Sequence, residues 1–309
     1  MSTDYIMQNK VHNVNSISEF HKLKGLPAPK HPLISLYNYA SFQFRNEIFD
    51  KNFIFSFYQI SIKRSIGTKY KYGQSHYDFD EGVMFFMAPN QVIGIEPIAE
   101  IALPQSGWVL MIHPDFLYGT SLAKRIKQFE FFDYNVNEAL YLSENEEATL
   151  NTIVKNIEHE YQNNIDKFTQ NIIVSQIETL LNYSERFYQR QFITRKASNH
   201  RILESFEEIV NNYFRKEGVN GLPSVQTIAN ELHISPTYLS SLLKSITGQT
   251  AQQIIHEKLI EKAKEKLSTT NLSVSEIAYE LGFEHSQSFS KLFKSKTNQS
   301  PIEFRARFN

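Results

Sequence analysis

The sequence predicts an α+β protein: a β-sandwich or small barrel with flanking helices, followed by an all-helical last third. Three observations carry this. From Leu33 to about Ile112 the chain is dense in aromatic and β-branched residues, as in Phe53-Ile54-Phe55-Ser56-Phe57-Tyr58-Gln59-Ile60-Ser61-Ile62, with Gly, Pro and Asn between the runs. Such composition favours strands. From Ser143 onward the apolar spacing becomes helical. In roughly the last ninety residues one helix-turn-helix pattern occurs twice, the mark of an internal repeat. A chain of 309 residues is long enough for two domains.

Turn signals at Gly67, Tyr72-Gly73, Glu81-Gly82, Ala88-Pro89-Asn90 and Gly107 leave room for about eight short strands. Phe42, Phe44, Phe53, Phe55, Phe57, Tyr58, Phe85 and Phe86 form the expected core stripe. The first helix then opens with Ser143-Glu144-Asn145-Glu146, which has the form of a capping box, and continues with Leu150, Ile153, Ile157 and Tyr161. A second helix carries Ile173, Ile177, Leu180, Ser184 and Phe187 on one stripe. Periodicity alone cannot tell whether such a stripe meets the sheet or a partner subunit. Ile173, Ile177 and Leu180 are the expected dimer contact. A polar stretch from Thr194 to Asn199 marks a boundary, so the expected organisation is 1–142 as the sheet domain, 143–193 as a helical pair, 194–200 as a linker and 201–309 as the helical domain.

Composition narrows the chemistry. With 41% hydrophobic and 21% charged residues the chain reads as an ordinary globular protein. It has no cysteine, which excludes disulfides, thiolate metal sites and cysteine nucleophiles. The first twenty residues hold no hydrophobic run of signal-peptide type, and stretches such as Val83 to Ala88 are far too short to cross a bilayer; the expected location is the cytoplasm. The ten histidines are scattered and form no His-x-His pair. A metal centre needs two or three converging ligands, so no metal, no cofactor and no catalytic residues are expected. The segment His76-Tyr77-Asp78-Phe79-Asp80-Glu81 reads as an exposed hairpin end rather than an acid/base cluster. Net charge is −1, from 32 Lys+Arg against 33 Asp+Glu, yet from Val225 onward there are 10 basic residues against 8 acidic ones. Phosphate binding depends on which face carries the lysines, so the overall balance does not exclude nucleic acid.

The repeat is the most informative feature. Ser224-Val225, Ile228-Ala229, Leu232 and Ile234 recur 49 positions later as Ser273-Val274, Ile277-Ala278, Leu281 and Phe283. After one extra turn residue, Leu239-Ser240-Ser241-Leu242-Leu243-Lys244 recurs as Phe289-Ser290-Lys291-Leu292-Phe293-Lys294, and Gln249-Thr250-Ala251 as Gln299-Ser300-Pro301. Ser224 and Ser273 stand as N-caps, the latter with Glu276 completing a capping box. Gly282 can take the positive φ that the turn requires; in the first copy His233 occupies that position, which implies strain. The apolar stripe Leu239, Leu242, Leu243 and Ile246 leaves Thr237, Ser240, Ser241 and Lys244 outward, and the second copy leaves Ser286, Gln287, Ser290, Lys291 and Lys294 outward. Hydroxyls, an amide and lysines suit phosphates and base edges in a major groove. A long helix from about Thr250 to Ser268 joins the copies.

The region from about Arg201 to Asn309 resembles the DNA-binding domain of the AraC/XylS family of bacterial transcription regulators. The resemblance rests on Ile277-Ala278 through Leu281-Gly282-Phe283, on Ser288-Phe289-Ser290-Lys291-Leu292-Phe293-Lys294, and on Ser300-Pro301-Ile302-Glu303-Phe304-Arg305. Two departures from the family pattern are Asn298 in place of the usual Gly, and Lys258 and Glu261 at linker positions often held by Arg. The resemblance implies two helix-turn-helix units on one linker helix, each placing its second helix in successive major-groove segments of double-stranded DNA. Thr237, Ser240, Ser241, Ser286, Gln287 and Ser290 would read bases, and Lys244, Lys291, Lys294 and Arg305 would hold phosphates. Glu81-Gly82-Val83-Met84-Phe85-Phe86-Met87-Ala88-Pro89-Asn90-Gln91 is similar to a strand and turn of the family's cupin-like, jelly-roll sensor domains. That similarity implies a small-molecule effector, with a homodimer and RNA polymerase as further partners. Two alternatives stay open: a regulator without ligand whose first domain only dimerises, and a cupin-type enzyme.

Overall fold

The computed structural model describes residues 11–41, 51–65, 70–72, 75–77, 82–95, 105–135, 138–163, 165–194, 196–215 and 221–308. The expected turns at Gly67 and Gly73, the aromatics Phe42 and Phe44, and residues 78–81 of the acidic segment lie outside them. The chain divides into two units, Met1–Gln191 and Phe192–Asn309.

In the first unit β1 (Val11–Val14) and α1 (Ile17–Lys24) precede β2 (Ile34–Asn38), β3 (Lys51–Phe55), β4 (Tyr58–Ser65), β5 (Tyr70–Tyr72), β6 (Ser75–Tyr77), β7 (Val83–Met87), β8 (Val92–Ile95) and β9 (Gln105–Ile112). A short α2 (Leu122–Arg125) and β10 (Leu140–Tyr141) lead to α3 (Glu144–Gln162) and α4 (Thr169–Thr194), whose last residues pass into the second unit. The strands form an antiparallel five-stranded sheet in the order β10-β7-β4-β9-β2, a three-stranded sheet in the order β1-β3-β8 and a β5-β6 hairpin. One apolar cluster takes Phe53 and Phe55 from the smaller sheet, Val109 and Met111 from the larger, Ile17 and Phe20 from α1, and Phe57. Lys24 is buried beside this cluster, its ammonium 5.9 Å from the Phe20 ring centroid, and desolvation lowers its pKa to about 8.

Gly107 departs from expectation. It lies inside β9 at φ 125 rather than in a turn, and a Cβ there would overlap the Ile62 carbonyl of the neighbouring strand. Glycine here serves a close approach of two backbones. The turn at Ala88-Pro89-Asn90 is present, with Asn90 at φ 68 between β7 and β8.

The other face of the large sheet carries α3 and α4. The Ser143–Glu146 capping box starts α3. Glu147 on its first turn pairs with Arg64 of β4 at 2.9 Å, and Asn151 accepts from the Trp108 indole at 2.8 Å. On α4 the Ser184 hydroxyl lies 3.7 Å from Met84 Sδ of β7, and Arg190 pairs with Glu146 and donates to the Tyr141 carbonyl. Ile173, Ile177 and Leu180 are all buried inside the chain. The proposed dimer stripe is therefore already used within the subunit. A 3.6-residue stripe reports that a helix buries one face; here the chain itself covers it.

The second unit is helical: α5 (Lys196–Arg215), α6 (Val225–Glu231), α7 (Pro236–Thr247), α8 (Ala251–Thr269), α9 (Val274–Glu280), α10 (Ser286–Thr297) and α11 (Pro301–Arg305). Residues 196–199, read from sequence as part of a linker, form the first turn of α5. The division between the two units falls before this stretch, between Gln191 and Phe192 of α4. Two cores line α8. Ala251 and Ile255 join Phe206, Val210, Ile228, Ala229, Leu239 and Leu243. Leu259, Ile260, Ala263 and Leu267 join Ile277, Ala278, Leu281, Phe283, Phe289 and Phe293.

Because the α4 stripe faces inward, Leu180→Ala is expected to cost about 2–5 kcal/mol of unfolding free energy, the usual range for emptying a buried leucine site. Urea unfolding followed by Trp108 emission, on the sheet facing α3, measures it; a loss below about 0.5 kcal/mol, the scale of surface changes, would place Leu180 on the surface.

Candidate nucleic-acid interface

The duplication extends to individual hydrogen bonds. Ser224 Oγ accepts from the Thr227 N–H at 3.0 Å, and Ser273 Oγ from the Glu276 N–H at 3.2 Å. In the turns, the Ile234 N–H donates to the Ala229 carbonyl at 3.0 Å and the Phe283 N–H to the Ala278 carbonyl at 2.9 Å. Beyond the second helices, Gly248 and Asn298 donate to the Lys244 and Lys294 carbonyls, each at 2.9 Å, from left-handed φ of 80 and 59. Thr247 and Thr297 hydroxyls then bond back to the Leu243 and Phe293 carbonyls, and Thr250–Gln253 and Ser300–Glu303 form matching capping boxes. Asn298 thus supplies the left-handed residue that a glycine supplies in the first copy. His233 takes φ 56 at the turn position where the second copy has Gly282 at φ 89, which confirms the strained turn.

The second helix of each copy presents most of the expected residues. On α7, Lys244 is exposed and Thr237 and Ser240 are half-buried. On α10, Gln287, Lys291 and Lys294 are exposed, and Ser286 and Ser290 are half-buried. Ser235 Oγ caps α7 by accepting from the Tyr238 N–H at 3.2 Å, with Pro236 at the first helical position. His285 precedes α10 without a side-chain cap bond.

Two expected contacts are corrected. Ser241 is buried, 9% exposed, and does not face outward. The buried arc of α7 is wider than its leucine stripe: Tyr238, three residues earlier on the same side, is buried with its ring 5.3 Å from that of Phe192. Ile246, placed on the inward stripe from sequence, is 37% exposed near the helix end. Arg305 turns back into its own unit, where its Nε donates to the Leu267 carbonyl at 3.2 Å and Nη2 is buried. It satisfies the C-terminal end of α8 instead of reaching outward. Sequence reasoning also missed Tyr238. Its place next to the leucine stripe was the available signal, but Phe192 lies 46 positions earlier.

The charge pattern separates the linker from the two outward helices. Lys258 pairs with Glu261 at 3.0 Å, Lys262 with Glu265 at 2.7 Å, and Lys266 with Glu280 at 2.6 Å. Lys262 holds the Glu265 carboxyl below its ordinary value. The departure at Lys258 and Glu261 therefore makes a self-neutralising pair. Lys244, Lys291 and Lys294 make no ion pair among the described residues. The Ser300 backbone N–H and hydroxyl lower the Glu303 carboxyl, with Lys294 adding to the effect. Burial, then the positive charge of Lys296, lowers the His256 imidazole on α8. Unpaired cations are thus concentrated on the helices that present hydroxyls and the Gln287 amide. Among the described residues no cluster of three His, Cys, Asp or Glu side chains could hold a metal, and no helix is long and apolar enough to cross a membrane.

Comparison with known proteins points to the same region. Residues 228–307 match a family described as a helix-turn-helix domain. An uncharacterized HTH-type transcriptional regulator in the cgkA 5′ region of Pseudoalteromonas carrageenovora is 34% identical over 114 residues, 37% of this chain and 64% of that protein. The uncharacterized HTH-type transcriptional regulator YfiF of Bacillus subtilis is 31% identical over 135 residues, 44% of this chain and 40% of that protein. The chain thus spans less than two thirds of the length of both curated relatives. A solved transcriptional regulator of Chromobacterium violaceum, titled as AraC-type DNA-binding domain-containing, is similar at 23% identity and a TM-score of 0.31, over 36% of this chain and 96% of that one.

The left-handed site at Asn298 yields a direct check. Asn298→Ala is expected to destabilise the protein by about 1 kcal/mol, whereas Asn298→Gly stays within about 0.5 kcal/mol of the parent. Urea denaturation of the three proteins compares them; equal losses for both substitutions would remove the backbone explanation.

Proposed function

We propose, from the premise that residues 228–307 are an AraC-type helix-turn-helix domain, that the chain is a transcription regulator that binds double-stranded DNA sequence-specifically through α7 and α10. One observation carries this: two capped helix-turn-helix units share the single helix α8, and their outward helices hold Lys244, Lys291 and Lys294 outside any ion pair among the described residues while three of the four lysines of α8 are paired. At 1.5 Å per residue the 19 residues of α8 span about 28 Å. That is of the order of one B-DNA repeat, roughly 34 Å, which separates successive major-groove segments on one face. Lys244, Lys291 and Lys294 hold phosphates; Thr237, Ser240, Ser286, Gln287 and Ser290 meet base edges.

For the first unit the reading is a cupin-like sensor of a small effector. Gln59 and Ser61 on β4 lie opposite Met111 and Val109 of β9 and so share the face of the aromatic cluster. Gln59 Nε2 is buried without a hydrogen-bond partner among the described residues, a donor that a polar ligand would satisfy. The ligand-free alternative draws support from Phe53, Phe55, Phe57 and Met111, which fill that cluster. Retention of Gln59→Leu stability together with loss of a ligand-induced thermal shift would favour the sensor. The homodimer, RNA polymerase and a cytoplasmic location belong to the proposal through the family resemblance.

Selection of bound duplexes from genomic fragments with the purified full chain tests DNA binding; enrichment of no sequence would overturn it. On the selected duplex, Lys291→Ala with Lys294→Ala is expected to weaken binding across sequences and reduce the salt slope by about 2, one unit per phosphate contact. An unchanged slope removes those lysines from the phosphates. Gln287→Ala is expected to relax preference at one or two base pairs by about 1–3 kcal/mol, and an unaltered preference profile would remove it from base reading.

A further inference from the structure

Helix α8 alone leaves an open question of mechanics. Both cores are threaded on it, but a single helix can bend, and a bend between Ile255 and Leu259 would change the angle between α7 and α10 without exposing either core. The second unit contains another connection, off the α8 axis. Phe214, near the end of α5, packs against both cores. Its neighbour Tyr213 meets it edge-on, ring centroids 5.7 Å apart, and donates its hydroxyl to the Gly221 carbonyl. That same carbonyl lies against Gly282, in the turn of the second helix-turn-helix, so closely that any Cβ at Gly282 would overlap it. Gly282 is thus glycine for two separate reasons, its φ of 89 and the backbone of the first half pressed on it.

We propose that Tyr213, Phe214 and the Gly221–Gly282 contact form a second brace between the two helix-turn-helix units, which fixes the angle between α7 and α10 and makes the protein selective for the spacing of its two DNA segments. The brace rests on the DNA-binding reading above. Two attachment points, one along α8 and one beside it, resist a rotation that one attachment permits. Inserting one base pair between the segments turns one relative to the other by about 34° and moves it about 3.4 Å. A braced pair of readers meets only one such geometry. These residues position the readers and touch no DNA.

The test uses the full-length protein and two duplexes: the sequence recovered by selection with that protein, and the same sequence with one base pair inserted between its two protected segments. The parent protein is expected to bind the inserted duplex about tenfold more weakly, the scale of one disrupted contact position. Gly282→Ala, which forces the Gly221 carbonyl away, and Tyr213→Phe, which removes only its hydroxyl bond, are expected to bring that ratio towards one by weakening the uninserted duplex selectively. A merely structural role would weaken both duplexes equally and leave the ratio unchanged. An unchanged ratio in the variants, or a parent that tolerates the insertion, overturns the brace while DNA binding stands. Failure of the parent to bind any duplex overturns both. Should Gly282→Ala not give the parent's circular dichroism, Tyr213→Phe decides by the same ratio.

Discussion

Helix α8 is the element on which both helix-turn-helix units depend. Neither half of the repeat closes a core by itself: each contributes two short helices, and α6 and α9 have only seven residues each. Isolated helices that short are unstable in water. They persist because α8 turns Ala251 and Ile255 to one half and Leu259, Ile260, Ala263 and Leu267 to the other. The small residues Ala229 and Ala278, both fully buried, let the first helix of each copy approach its core closely. Each short helix also satisfies its first amide groups by a side-chain cap, so little backbone polarity is left unpaired at the turns.

The same economy governs charge. A linker helix rich in lysine would attract any polyanion along its whole length, but three of its lysines are held by nearby glutamates. Exposed pairs of this kind contribute little to stability. Their consequence is spatial, because they neutralise Lys258, Lys262 and Lys266 while Lys244, Lys291 and Lys294 stay outside any ion pair among the described residues on α7 and α10. Duplication followed by divergence is visible in the caps. Glycine and asparagine meet the same left-handed requirement after α7 and α10, whereas histidine and glycine meet it with unequal strain in the two turns.

In the first unit the large sheet is covered twice, by an aromatic cluster on one face and by α3 and α4 on the other. Polar groups on the helical side are tied to specific partners: Arg64 with Glu147, Trp108 with Asn151, and Arg190 with Glu146 and the Tyr141 carbonyl. Gln191 adds to this by accepting from the Tyr141 N–H and donating to the Ala139 carbonyl. These bonds set the orientation of the helices over the sheet, which apolar contact alone leaves loose. Against that background Gln59 stands apart, with a buried donor on the aromatic face that lacks such a partner among the described residues.

Local chemistry was legible in the sequence wherever neighbours along the chain decide the outcome. The capping boxes at Ser143 and Ser273, the proline start of α7, the helical repeat, the left-handed Asn298 and the extent of α8 all follow from interactions within a few residues, so spacing alone reveals them. What a surface faces was not legible. The Ile173, Ile177 and Leu180 stripe is buried within the protein's own chain, Ser241 is buried beside Tyr238, Arg305 caps α8, and Gly107 lies where two strands nearly touch. Each depends on residues dozens of positions away. Only the folded chain brings those partners together, because a period reports that a side is buried and carries no information about what buries it.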